Sequence, residues 1–397
     1  MLGGIDMRLV FAHDHIFRRD DDGKIYSGGS YNNAVWERYL KHFDEVVVIA
    51  RLEELSHKGN RIYNEFGSGR VTLKPIPSLS GPIKQYTNKK EAERIIRNEL
   101  LMADALIARL PSEAGNLAVD AARDMNKPYM VEVVTCAWDA MWHYGKIMAK
   151  IYAPIARYKM KKRVGRAPYA LYVTNSFLQG RYPNRGVNVS VSDVEITDIK
   201  SGKPAKDDGI WRIGMIGSIA NKIKGWDVAL RALSLLAKKG LDFEFYILGD
   251  GDDKPFMREA GRLGVAERVH ACGVLPSGKP VADWLDNIDI FILPSYSEGM
   301  PRAVIEAMSR GCAVIGSEAG DIPELIDRSC IHKRGDYRKL ALLIERVMDD
   351  RDYWHVLSVK NLMKAKKFMK NVLDESRDRF LADFVSRACS KGGQIAL

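Results

Sequence analysis

Long apolar runs are missing from this 397-residue chain. None approaches the ~18 to 20 residues a membrane-spanning helix needs, so no span is expected. Met1 to Phe11 carries Asp6 and Arg8 and no apolar core, which argues against a secretory leader. Cysteine is sparse: Cys136, Cys272, Cys312, Cys330 and Cys389 are scattered, with no C-x-x-C pair. That pattern offers no zinc site and suits reduced thiols in the cytoplasm. No D-x-D metal motif stands at a strand end, and Asp20-Asp21-Asp22 reads as a solvated charge run in a loop. These features agree, passively, with a chain that uses no metal or cofactor.

Acidic residues are absent from Ala140 to Ala170, where Lys146, Lys150, Arg157, Lys159, Lys161, Lys162, Arg163 and Arg166 all fall. Trp142, Tyr144, Ile147, Met148, Ile151, Tyr152, Ile155 and Tyr158 are interleaved with them. This mixture suits peripheral contact with an anionic membrane through 140–170. A solvated helix packed on its own domain fits as well. Pro154 is expected to break the helical run, and no single amphipathic face emerges. The formal net charge of +10 could also mean nucleic acid. No recognised nucleic-acid motif appears and the cations cluster in one segment, so no nucleic-acid partner is expected.

What is present is globular: 46% hydrophobic and 28% charged residues, in a length that suits two domains. Buried strands are predicted at Arg8–Ala12, Val46–Ile49, Val71–Leu73, Ala105–Ile107, Tyr129–Val134 and Leu171–Val173. Helices are predicted at Asn33–His42, Glu91–Met102 and Ala114–Met125. The polar, turn-rich stretch Thr197–Gly209 then reads as a linker. Alternation restarts with strands at Trp211–Ile216, Phe243–Leu248, Ile288–Leu293 and Ala313–Gly316, and helices at Trp226–Lys239 and Asp321–Ile326. Alternating apolar strands and helices imply α/β units with covered parallel sheets. Domains are thus expected at 1–196 and 210–375, joined by 197–209. Residues 376–397 are expected to form a helix returning to the first domain.

The most informative segment, Pro294 to Ile326, reads PSYSEGMPRAVIEAMSRGCAVIGSEAGDIPELI. The turn Ser295 to Met300 leads into Pro301, placed to be the first helical residue. Glu298 then precedes the helix and Glu306 lies about one and a half turns inside it. Carboxylates and free amides around one helix start suit a polyhydroxyl ligand. Upstream, Gly214 to Asp227 reads GMIGSIANKIKGWD, a strand, loop and helix of the kind that holds phosphates on backbone amides.

With the E-x7-E pair Glu298 and Glu306 in the setting S-E-G-x-P, the chain resembles GT-B glycosyltransferases of family 4. The resemblance is firmest over Ile213 to Ile326. It implies two Rossmann-like domains with parallel sheets facing a central cleft, and retaining, metal-independent sugar transfer. The donor would be a nucleotide-sugar such as a UDP- or GDP-sugar. The acceptor would be a saccharide or lipid-linked saccharide, in surface polysaccharide or glycoconjugate synthesis at the inner face of the cell membrane.

By the same resemblance Glu298 holds the donor sugar, Glu306 the ribose and Lys224 the diphosphate. Gly217, Gly299, Met300 and Pro301 complete the donor site, and Gly273-Val274-Leu275 receives the nucleobase by backbone contact. Ser218 stands where the family carries an arginine, and Lys222 could supply the missing charge. Gly28 and Gly29, in a turn opening a helix from Tyr31, match the family's glycine pair. Cys136 stands at about the place of a family histidine, so His13, Asp139 and His143 are the acceptor-side candidates; Asp139 could equally be a helix cap. A GT-B sugar-nucleotide epimerase and a non-catalytic binding protein of the same fold are the alternatives, separable by a donor-hydrolysis assay.

Overall fold

The computed structural model describes residues 7–28, 31, 33–55, 63–142, 147–204 and 209–390. The chain divides into two compact units. The first comprises Met1–Val173, Leu178–Val191 and Asp374–Leu397, and the second Thr174–Phe177 and Ser192–Leu373.

Among the described residues the first unit carries nine strands. They are β1 (Arg8–Arg19), β2 (Ile25–Gly28), β3 (Glu45–Glu54), β4 (Tyr63–Glu65), β5 (Val71–Pro75), β6 (Ala105–Leu110), β7 (Tyr129–Val133), β8 (Tyr169–Tyr172) and β9 (Val187–Ser190). A parallel sheet runs β5-β3-β1-β6-β7-β8-β9. Its central strands carry continuous apolar stretches, as strands covered on both faces do; Leu9–Ala12 and Val46–Ala50 are buried without interruption. β1 extends well past its predicted end. Between Ala12, paired with Ile49, and Ile16, paired with Arg51, its register slips, so His13, Asp14 and His15 sit in a bulge. Beyond it β2 pairs antiparallel with β1, and β4 with β2. These short, half-exposed strands carry little apolar signal and are absent from the sequence reading.

The second unit has β10 (Trp211–Ile216), β11 (Phe243–Leu248), β12 (Val269–Ala271), β13 (Ile290–Leu293), β14 (Ala313–Ser317) and β15 (Ile331–His332). Their order is β12-β11-β10-β13-β14-β15, all parallel. The chain enters at the centre, builds outward to β12, then crosses back to lay β13 on the other flank of β10. A crevice opens at the carboxyl ends of two neighbouring strands whose connections diverge in this way. The core includes Ile213, Phe245, Phe291, Leu233 and Ile305.

Three local readings are corrected. Ile147–Arg166 is one helix through Pro154. Pro154 is solvent-exposed, and the helix continues past the one donor its ring removes. The helix expected from Tyr31 starts at Asn33, and Gly28 belongs to β2. Pro301 is the N-cap, with the helix running Arg302–Ser309.

The described part of 197–209 lies against the second unit. Lys203 is buried and donates to Leu285 O at 2.9 Å, and Asp198 pairs with Arg310 at 2.7 Å. The helix Lys370–Ser390 sets Phe380 and Phe384 against Tyr169, whose hydroxyl donates to Asp383 at 2.8 Å.

Phe291→Ala should leave a cavity in the middle of the second sheet and cost about 3 to 5 kcal/mol. Urea denaturation followed by tryptophan fluorescence would measure it. A loss below about 1 kcal/mol would show that the site collapses around the missing ring.

Candidate active site

The crevice of the second unit lies between the loops that follow β10 and β13. Lys224, on the first loop, donates to both carboxylate oxygens of Glu298, on the second, at 2.8 and 3.0 Å. Ser295 Oγ donates to Glu298 Oε1 at 2.6 Å. Glu298 is buried while Lys224 keeps about a third of its side chain exposed, 34%. The carboxylate is therefore fixed from two sides and the ammonium remains within reach of a ligand.

Two glycines make this approach possible. A Cβ on Gly217 would stand 2.7 Å from Lys224 Cγ, so only a bare backbone lets the lysine stem lie along the strand end. Gly225 has φ +81°, and a Cβ there would meet Pro294 O at 2.0 Å. The loops are then stitched together by Tyr296 N to Ile223 O at 2.8 Å and Ser317 Oγ to Ser295 O at 2.6 Å.

Glu306 sits half-buried on the helix Arg302–Ser309, and Gly299 and Met300 are half-buried in the turn before it. Among the described residues the Glu306 carboxyl accepts no hydrogen bond. Burial pushes its pKa up and Arg302 partly opposes this. Its open acceptor oxygens suit a hydroxylated ligand. Gly273 follows β12, its carbonyl accepts from Gly249 N at 2.7 Å, Val274 is exposed, and Leu275 packs on the core. Ser218 accepts from Ala220 N at 3.3 Å and donates to Asp250 O at 3.2 Å, holding its own loop. Lys222 lies over the Trp226 ring, 5.5 Å from its centre, beside a shallow cavity with Pro255 and Glu259. The fold thus brings Lys224 and Glu298 together and leaves Lys222 on a different wall.

In the first unit the corresponding strand ends are those of β1 and β6. His13 Nδ1 meets the Tyr31 hydroxyl at 3.3 Å, and Arg109 lies over the Tyr31 ring at 5.8 Å. Burial, then the Arg109 guanidinium, push His13 down to about 3, and burial then Arg51 push His15 down to about 4, so both rings are neutral near pH 7. Asp14 accepts from the Glu113 and Ala114 amides at 2.5 and 3.0 Å, at the start of the helix Glu113–Asp124. Asp139 is buried, third in the helix Ala137–Trp142, and pairs with Arg181 at 3.2 Å. Its place inside the helix is not that of an N-cap. Gly29 and His143 lie outside the described residues.

Ser295 and Asp321 escaped the sequence reading. Ser295 was legible as the residue three before Glu298, within one turn of chain. Asp321 was not. It is fully buried, and its carboxylate receives the backbone amides of Asn175 and Phe177, far away in sequence. Its other oxygen, Oδ1, is buried with no partner. Burial pushes its pKa up to about 6.

Residues 211–350, which span all six strands of the second sheet, match the family described as Glycosyl transferases group 1. The chain is 31% identical over 362 residues to Protein CapJ of Staphylococcus aureus, covering 91% of this chain and 90% of that protein. It is 35% identical over 146 residues to the amylovoran biosynthesis glycosyltransferase AmsK of Erwinia amylovora, covering 34% of this chain and 35% of that one. Among solved structures it resembles Anabaena Alr3699/HepE in complex with UDP-glucose, with a TM-score of 0.62 at 14% identity over 96% of this chain and 100% of that chain. At that identity the likeness shows the fold, which is GT-B with two Rossmann-like domains.

The raised pKa of Asp321 carries a pH signature. Below the ordinary carboxyl value of 3.8 the side chain is protonated in both folded and unfolded states. From there to about 6 only the unfolded state ionises, so the folded state loses stability as pH rises. At neutral pH the loss is on the order of 3 kcal/mol, from ~1.4 kcal/mol per unit. Asp321→Asn, a neutral isostere that can still accept both amides, should gain on the wild type across this window. Urea midpoints at pH 4, 5, 6 and 7 would check it; a difference that stays constant with pH would refute the buried-carboxyl account.

Proposed function

The chain belongs to the group 1 glycosyl transferases, and we propose that it moves a sugar from a nucleotide-sugar, with retention of anomeric configuration, to a saccharide or lipid-linked saccharide. The reading extends to surface polysaccharide or glycoconjugate synthesis, which the names of AmsK, for amylovoran biosynthesis, and of WcaL, for colanic acid biosynthesis, support. A lipid-borne acceptor would bring the enzyme to a membrane face.

The observation that carries this reading is the Lys224–Glu298 pair at the crevice between β10 and β13. As the bond between the anomeric carbon and the diphosphate oxygen breaks, negative charge grows on the diphosphate. Lys224 is the cation placed to stabilise it, together with the loop amides after Gly217. Glu298, held by Ser295, accepts hydrogen bonds from donor-sugar hydroxyls, and Glu306 accepts them from the ribose. Gly273 to Leu275 offer backbone groups to the base. These contacts hold the reacting carbon in position, so part of the rate comes from orientation. Neither glutamate is assigned as an attacking nucleophile.

Nucleotide release from UDP- and GDP-sugars is the direct test. Glu298→Ala should lower it by about a hundred-fold or more, as loss of a group contacting the reacting part of the substrate does, with circular dichroism unchanged. Lys224→Ala should weaken UDP or GDP binding in calorimetry by about ten- to a hundred-fold, the worth of one charge-assisted hydrogen bond. Undiminished turnover in the first variant, or an unaltered dissociation constant in the second, would sink the assignment.

A further inference from the structure

The helix Ile147–Arg166 has two apolar faces. The inner one is accounted for: Ala153, Met160 and Val164 are buried, Tyr152 donates to Glu113 at 3.0 Å, and Arg163 donates to Asp120 at 2.5 Å and to Asn116 O at 3.2 Å. The outer one is not. Ile147, Ile151 and Tyr158 are 78%, 62% and 67% exposed, and Met148 and Ile155 are exposed beside them. At about 100° per residue these five side chains fall within an arc of roughly 100°, opposite the buried face. Isolated exposed apolar residues need no explanation, but an aligned stripe over three turns does.

Cations border this stripe. Lys150, Arg157 and Lys161 follow one edge, and Lys162 continues the stripe toward the helix end; all four are exposed. Lys150 also lies over the Trp142 ring at 5.7 Å, and Trp142 stacks on Trp138 at 5.3 Å, extending the apolar surface beyond the helix. No acidic residue lies between positions 140 and 170. Glu113 and Asp120, the carboxylates that reach the helix, are held on its inner side by Tyr152 and Arg163.

We infer that this outer face is a membrane-docking surface, which lies flat on an anionic bilayer with the isoleucines and Tyr158 at the acyl boundary and the lysines among the headgroups. Apolar area together with flanking cations is what such a surface requires. A second copy of the chain is a poor occupant, because a two-fold contact would set the same lysines against each other. The inference deepens the reading of a lipid-borne acceptor, yet its test measures binding and not turnover.

The full chain should co-sediment with vesicles of phosphatidylcholine and phosphatidylglycerol, bind vesicles of phosphatidylcholine alone much more weakly, and be released by salt. Ile151→Asp combined with Ile155→Asp, both at exposed positions, should weaken binding by about ten-fold or more, from lost apolar insertion and added repulsion. Lys161→Glu with Lys162→Glu should weaken it by at least about five-fold per lysine on the anionic vesicles alone. Nucleotide release from a soluble donor should be unchanged in all of them, so a failed docking surface and a failed transferase reading give different results. Absence of binding to anionic vesicles would overturn the inference, as would equal binding to neutral ones or full binding by the aspartate variants. A concentration-dependent dimer abolished by the aspartate pair would assign the face to a second copy instead.

Discussion

The candidate site depends on the contact between Lys224 and Glu298, and that contact depends on strand order. The two residues are 74 positions apart. They meet because β10 and β13 are neighbours whose connections diverge, which brings the loops after them together at the strands' carboxyl ends. The pair is asymmetric. The carboxylate is buried and fixed by Ser295, whereas the ammonium sits at the solvent boundary. A buried acid without its cation would be costly, so the arrangement stays formed before any ligand arrives. When a ligand does arrive, little reorganisation is required.

The first unit repeats the topological logic with different chemistry. At the strand ends of β1 and β6 stand neutral His13 and His15, Tyr31 and Arg109, and the register of β1 slips where His13 falls. Asp14 in the same bulge is consumed in holding the start of the helix Glu113–Asp124. The two units therefore present unlike groups at these strand ends: a paired charge in the second, and aromatic and neutral hydrogen-bonding groups beside the Arg109 and Arg51 guanidinium groups in the first. Such a difference suits a protein that must handle two different substrates.

The helix Ile147–Arg166 explains why a periodicity reading failed there. Two apolar stripes on opposite sides cancel in any measure that seeks one, so the segment looks patternless although each side is ordered. Pro154 added to the misreading. Its ring removes one backbone donor, yet the helix runs on through it at an exposed position.

The sequence by itself determined the long apolar strands, because complete burial leaves a continuous run that few other structures produce. It also marked Glu298 and Glu306 as candidates, because a turn, a proline and a helix in succession constrain where side chains can lie; Lys224 was marked by the likeness to the family. Tertiary structure alone decided the rest. That Lys224 reaches Glu298 depends on the bare backbone of Gly217, along which the lysine stem lies, and on the left-handed Gly225, which approaches Pro294. The antiparallel pairing of β2 with β4, the burial of Asp321 under the Asn175 and Phe177 amides, and the pairing of Asp139 with Arg181 all arise between residues distant in the chain. Local pattern records how a residue meets its neighbours in sequence; what it faces across a sheet edge is set only when the strands have been ordered.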